Sequence, residues 1–130
     1  MGRAAAVMIG ILLGSHGFAG LFIEGEHMLG VFNVDILMDA VYLLSALALL
    51  VVGLTQSSAA ALRGTLGAVA AVLIGIGLLG LLDRELFGAA PTGFMGPDFL
   101  FFFGVGAAAG FSALLPRITE PLTTGGTAIN

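Results

Sequence analysis

The stretch that decides the fold is Gly64–Leu82, which reads GTLGAVAAVLIGIGLLGLL and contains no charged residue. As an α-helix, a stretch of this length extends about 28 Å, close to the roughly 30 Å hydrocarbon core of a bilayer. Three other runs also lack Asp, Glu, Lys and Arg, namely Ala4–Ile23, Ala40–Leu62 and Phe99–Pro116. Because lipid leaves no backbone polar group a partner, each run is expected to be helical. The sequence predicts an all-α, polytopic membrane four-helix bundle.

The composition supports the same class of protein. Of the 130 residues, 58% are hydrophobic and 9% are charged, whereas about 25% of the residues of a soluble domain are charged. We expect one transmembrane domain over residues 1–118 and a flexible C-terminal tail over 119–130. The start of the chain also resembles a signal peptide, but its apolar run is long enough to be the first span. The predicted spans are about 4–22, 35–54, 62–82 and 98–115.

The charge and cysteine content narrow the possible functions. The net charge of −4 argues against a nucleic-acid partner, and the absence of Cys removes thiolate metal sites and Cys nucleophiles. No Ser/His/Asp set, metal triad or phosphate-binding loop is present. We therefore expect no enzyme activity, no cofactor and no metal.

The four arginines predict the orientation. With four spans, Arg3, Arg63 and Arg117 lie on one side of the membrane and Arg84 lies on the other. The positive-inside rule places the arginine-rich side in the cytoplasm. We expect a multi-pass protein of the prokaryotic cytoplasmic membrane with both termini cytoplasmic.

Small residues recur at helical spacing in three spans. Glycines and alanines four residues apart allow the backbones of membrane helices to approach closely. We expect the faces that carry them to be internal, in a compact bundle. The predicted helix-packing residues are Gly10, Gly14, Gly67, Gly75, Gly106 and Gly110.

The two halves of the sequence look like duplicated helical hairpins. Each half has a loop with two acids, followed by an Asp near the start of the next span. A fixed spacing of 59 residues pairs Asp39 with Asp98. Both copies would enter the membrane in the same direction, so the two carboxylates are expected at similar depth.

Residues 30–43, which read GVFNVDILMDAVYL, carry a family resemblance. The stretch resembles a motif, Gly-x-Phe-x-Val-Asn-x-x-His-Asn-x-x-His-Leu, of an uncharacterised family of four-span prokaryotic membrane proteins. The resemblance covers about residues 5–115 and implies a duplicated-hairpin fold without an established activity. This chain has Met38 and Tyr42 where the family has His, so histidine chemistry in the family would not carry over.

Five polar residues in or near the spans are candidates for a site. Asp35 and Asp98 suit helix N-caps. Asp39 lies about one turn inside the second span, so it is expected either to pair within the bundle or to handle an ion or proton. His16 is expected to be neutral and hydrogen-bonded to Asp39 or Tyr42; single-His ligation of a pigment is the alternative.

Two further groups lie at the same end of the bundle. The acids of the two loops, together with His27, are expected to form a solvated rim, with a divalent-cation site as the alternative. The phenylalanines at the start of the fourth span are expected to face lipid or the interface, with a hydrophobic ligand as the alternative. The rim residues are Glu24, Glu26, His27, Asp83 and Glu85, and the aromatic residues are Phe99, Phe101, Phe102 and Phe103.

Three functions remain open after this reading. The first is a structural or accessory role through helix–helix contacts, as a homo-oligomer or as a subunit of a larger membrane complex. The second is transport of a proton or small cation through Asp39 and Asp98. The third is binding of a pigment or lipophilic ligand through His16.

Overall fold

The computed structural model describes residues 2–23 and 32–115, so the predicted tail over 119–130 lies outside the described residues. This part of the chain forms an all-α bundle of four helices, each long and apolar enough to cross a membrane. A short 3-10 helix, Leu86–Gly88, lies between the third and fourth helices. The four helices are α1 (Gly2–Gly20), α2 (Ile36–Leu54), α3 (Ala59–Leu82) and α4 (Gly96–Leu114).

The helices pack as two hairpins. Helix α1 contacts α2, and α3 contacts α4, far more extensively than one hairpin contacts the other. Leucines, alanines and glycines fill the interior, while many large apolar side chains such as Met8, Leu44 and Leu114 remain exposed. An apolar exterior of this kind suits lipid as the surrounding solvent.

Two arginines mark one end of the bundle, here called the arginine end. Arg3 in the first turn of α1 donates to the carbonyls of Thr55 and Ser57, just after α2. Arg63 in the first turns of α3 donates to the carbonyl of Leu115, just after α4, at 2.9 Å. The carbonyls at a helix C-terminus lack intrahelical partners and carry partial negative charge, so each guanidinium satisfies and stabilises one end.

Positions 60 residues apart have matching environments in the two hairpins. Asp35 and Met95 are the N-cap residues of α2 and α4, and these two helices have the same length of 19 residues. Arg3 and Arg63 show the same spacing, as do the carbonyls of Thr55 and Leu115 that they contact. All six buried residues of α1 recur as buried residues of α3. The pairs are Ala6/Leu66, Ile9/Val69, Gly10/Ala70, Leu13/Leu73, Gly17/Gly77 and Gly20/Gly80.

This spacing corrects the register predicted from the acids. The predicted spacing of 59 paired Asp39 with Asp98, but Met38 and Asp98 occupy the matching buried positions. Asp39 matches Phe99, which is only partly buried. Helix starts and buried apolar positions of the two hairpins correspond at a spacing of 60 residues. Asp39 and Asp98 are 59 residues apart, so they do not occupy corresponding positions.

Four of the six predicted packing glycines lie at helix contacts. A Cβ added at Gly10 would lie 2.9 Å from Leu50 Cγ, and one at Gly14 would lie 3.3 Å from Ala46 Cβ. Gly106 packs against Leu73 and Ile74, and Gly110 packs against Ala70. These glycines allow α1 to approach α2 and α3 to approach α4.

The structure does not place Gly67 and Gly75 at such a contact. A Cβ added at either position would meet nothing within 4 Å among the described residues. Helix α3 packs through its other face, which includes Leu66, Leu73 and Gly77. Four-residue spacing identifies a face of small residues but not the helix that covers it.

Candidate functional site

Polar groups concentrate at the end of the bundle opposite Arg3 and Arg63, here called the acidic end. The fully buried polar side chains of the described chain are Asn33, Asp39 and Asp98. All three lie near the N-termini of α2 and α4. Burying a carboxylate costs free energy unless hydrogen bonds or charges compensate, so such a cluster marks either a structural network or a functional site.

Asn33 and Asp35 connect the first hairpin to the loop before α4. The Asn33 side-chain amide donates to Asp35 Oδ2 and to Thr92 Oγ1, both at 2.6 Å. Thr92 in turn donates to Asp35 Oδ2, at 2.7 Å from its hydroxyl and 3.2 Å from its backbone N–H. The segment before α2 and the segment before α4 are therefore held together by side-chain hydrogen bonds. We call these three residues the loop clamp.

Asp98 extends this network into the interior. Its Oδ1 accepts the backbone N–H of Asn33 at 2.9 Å, and its Oδ2 accepts that of Met95 at 2.8 Å. The second bond belongs to a capping arrangement at the start of α4, in which a carboxylate at the third helical position satisfies a free amide. The same carboxylate thus caps one helix and links the two hairpins.

The predicted capping roles of the two acids are correct only in part. Asp35 occupies the N-cap position of α2, but its side chain makes no capping bond and instead forms part of the loop clamp. Asp98 is not the N-cap residue of α4, because the helix begins two residues earlier, at Gly96. A proline in the first turn allows this earlier start, since its missing N–H needs no partner there.

Asp39 lies in the first turn of α2 and is fully buried against the end of α1. A Cβ added at Gly20 would collide with its carboxylate, so only glycine leaves room for that side chain. The backbone carbonyl of Asp39 likewise lies 3.1 Å from the position of a Cβ at Gly17. The glycines in the last turns of α1 therefore leave the space that Asp39 occupies.

His16 lies in an aromatic cluster with Tyr42 and Phe101. Its ring stacks on Phe101, with centroids 4.6 Å apart, and meets Tyr42 edge-on at 4.9 Å. The predicted hydrogen bond between His16 and Tyr42 does not form. Among the described residues, the buried His16 Nε2 and the buried Tyr42 hydroxyl have no hydrogen-bond partner.

The aromatic residues of α4 depart from the prediction in part. Phe102 is fully buried and contacts Phe94 at a centroid distance of 4.9 Å, so it belongs to the core and not to the lipid surface. Phe94 itself lies over Gly80, where a Cβ would approach its ring to 2.6 Å. The cluster therefore fills the interior at the acidic end, where the helix pairs are joined.

Of the predicted acidic rim, only Asp83 and Glu85 lie within the described residues. Asp83 follows α3 directly, and its carboxylate accepts the backbone N–H of Glu85 at 2.9 Å, which is a local turn. Glu24, Glu26 and His27 lie outside the described residues. Within residues 2–23 and 32–115, no group of three or more His, Cys, Asp or Glu residues could hold a metal ion.

Sequence reasoning missed Asn33 and Thr92 as site residues. Both were available as polar residues next to a predicted span, but a short polar residue beside a turn usually serves only that turn. Nothing in the sequence shows that the two loops meet. The matched spacing of 60 was the usable signal, because it would have aligned the starts of α2 and α4.

No family model, curated protein or solved structure matches the chain. The resemblance of residues 30–43 to an uncharacterised family stays a prediction.

Proposed function

We propose that this chain is a small integral membrane protein with a structural or accessory role, which it performs through helix–helix contacts in a membrane complex. Its place would be the prokaryotic cytoplasmic membrane, with both termini in the cytoplasm. The observation that carries the proposal is an uncovered face of small residues on α3. The face consists of Ala60, Gly64, Gly67, Ala68, Ala71 and Gly75.

These residues lie on one side of the helix, and none is buried. A Cβ at Gly64, Gly67 or Gly75 would meet nothing within 4 Å among the described residues. In lipid there is no hydrophobic force between helices, so close packing at small residues supplies the attraction. This face therefore suits a second copy of the chain or a helix of another subunit.

Helix α1 provides an internal comparison. The positions 60 residues before Gly67, Ala68 and Ala71 are occupied by larger residues, namely Val7, Met8 and Ile11. Met8 and Ile11 are 70% and 57% exposed, as lipid-facing residues should be. At these three positions only α3 has small residues, whereas Ala4 and Ser15 of α1, which match Gly64 and Gly75, are small as well. Lipid contact alone does not account for this difference.

The experiment compares Gly75→Leu with Ser15→Leu, since residue 15 occupies the position on α1 that matches residue 75. Gly75→Leu should leave thermal stability unchanged, because the site is open within the chain. It should, however, reduce the size of the complex in mild detergent. Ser15→Leu should change neither property. Unchanged complex size in Gly75→Leu would contradict the proposal.

Transport of a proton or small cation is the second candidate, because Asp39 and Asp98 are fully buried. The composition of the rest of the interior argues against transport. Apart from the acidic end, the buried core of the described residues is apolar from Ala6 and Leu13 to Leu49, and an ion path needs polar groups or water along its length. The polar site therefore extends only part of the way through the helix bundle.

Flux measurements separate these two candidates. Proteoliposomes with the wild-type chain should show no more proton or cation flux than empty liposomes. Asp39→Asn, which removes the ionisable carboxyl group but keeps the shape, should behave in the same way. Flux in the wild type that disappears in Asp39→Asn would support transport and contradict the accessory role.

We also infer that the two hairpins are duplicated copies related by a pseudo-two-fold axis along the membrane normal. The matching arginine contacts, helix starts and buried positions support this origin.

A further inference from the structure

Two polar atoms at the acidic end have no role in the contacts described so far. The Tyr42 hydroxyl belongs to a fully buried residue and has no hydrogen-bond partner among the described residues. His16 is only partly buried, but its Nε2 atom is buried and also has no hydrogen-bond partner there. A buried polar group without a partner destabilises the folded state, so a ligand that supplies one is favoured. Their rings are in contact, with centroids 4.9 Å apart. The two polar atoms without partners among the described residues therefore belong to one cluster of contacting rings.

An apolar groove begins next to this pair. It has a volume of about 280 Å³ and opens to the outside of the bundle. Phe101 is common to both features, since it lines the groove and stacks on His16 at 4.6 Å. Phe32 also lines the groove and meets His16 edge-on at 5.2 Å. The remaining groove residues are Pro97, Leu100, Gly104 and Val105.

We propose that the groove and the His16–Tyr42 pair form a binding site for a neutral lipophilic ligand of the quinone class, with a flat carbonyl-bearing ring and an apolar tail. The tail would lie along α4 in the groove, where the lining is apolar. The ring would enter beside Phe101, with rotation of the Phe101 side chain giving access to the pair. A carbonyl oxygen would then accept hydrogen bonds from the Tyr42 hydroxyl and from His16 Nε2–H.

The surroundings favour this chemistry over other lipophilic ligands. The aromatic faces of Phe32, Phe101 and His16 suit a flat ring, which can stack or meet them edge-on. Asp39 and Asp98 lie near Tyr42, and a neutral head group adds no further charge to this buried region, where burying a charge is costly. A purely apolar tail would leave both polar atoms without partners. The site is independent of the small-residue face on α3.

The intrinsic fluorescence of the chain can be used to measure ligand binding. Tyr42 is the sole tyrosine and there is no tryptophan, so the intrinsic fluorescence comes from the residue that would contact the ligand. Decylubiquinone added to the purified protein in detergent should quench this emission saturably. Decylbenzene, which has the same tail but no carbonyl, should not. Quenching that is unsaturable, or equal for the two compounds, would overturn the proposal.

Variants then test the two halves of the site by co-elution of decylubiquinone in gel filtration. Tyr42→Phe removes only the hydroxyl and should weaken binding about tenfold, the factor expected for one hydrogen bond. Gly104→Leu should abolish binding, because a side chain there enters the groove without meeting another atom within 4 Å. Ala48→Leu, on the exposed face of α2, is the control and should bind normally. Wild-type affinity in both site variants would show that the ligand lies elsewhere.

Discussion

Gly17→Ala is the substitution for which the structure gives the clearest expected cost. Gly17 is buried where α1 crosses α2, close to the polar site. A Cβ there would lie 3.0 Å from Tyr42 Cβ and from Leu43 Cγ, and 3.1 Å from the carbonyl oxygen of Asp39. Two of these three atoms belong to the backbone or are fixed to it, so rotation of a side chain cannot relieve the contact. The helices would have to separate.

Overpacking of this kind costs about 1–3 kcal/mol, and Ala regains at most about 1 kcal/mol over Gly as a helix former. We therefore expect Gly17→Ala to lower the free energy of unfolding by up to about 2 kcal/mol, and to be about 1–3 kcal/mol less stable than a variant with the same helix-forming gain but no overpacking. Gly75→Ala is the matched control, since its Cβ would meet nothing within 4 Å; it should be neutral or slightly stabilising. Reversible unfolding in mixed detergent, followed by circular dichroism, measures both. Equal stability of the two variants would refute the packing reasoning.

Two further predictions concern the clamp and the orientation. Asp35→Ala removes the carboxylate that accepts from three donor groups in the loop clamp and should destabilise the protein by about 1–3 kcal/mol in the same unfolding assay. A loss under about 0.5 kcal/mol would show that the clamp is unimportant. Single cysteines at Gln56 and Ala89, both exposed, should react oppositely with an impermeant thiol reagent in intact cells. Reaction at residue 89 alone supports cytoplasmic termini, and reaction at residue 56 alone contradicts them.

The helices could be predicted from the sequence because their physical cause is local. A charge-free run such as Gly64–Leu82 must be helical in lipid whatever it packs against.

The starts of α3 and α4 were each predicted a few residues too late. Ser58 accepts the N–H of Ala61 through its side chain and so begins α3 before Arg63. Charged residues near a helix end do not define that end when a cap lies before them.

The candidate site was predictable only in its individual residues. Asp39 and His16 stand out because polar groups are rare within spans. The other residues of the site cannot be recognised in this way, because they come together only through contacts between the two hairpins. Examples are the contact of His16 with Phe101 and the hydrogen bond from Asn33 to Thr92. Local spacing determines which residues share a helix face. It does not determine which faces meet, and for the same reason Gly75 was assigned to an internal contact that the structure does not contain.

In-membrane cross-linking at the α3 face tests the proposed accessory role most directly. The chain has no cysteine, so Ala71→Cys and Ile11→Cys each carry a single reactive thiol, at matching positions of α3 and α1. A thiol-reactive benzophenone coupled to either cysteine and photolysed in native membranes inserts into nearby C–H bonds. It should therefore join Ala71→Cys to one partner of defined mass, which mass spectrometry identifies as a second copy or another subunit. Ile11→Cys should remain monomeric. Monomers from both variants, or the same adducts from both, would contradict the account.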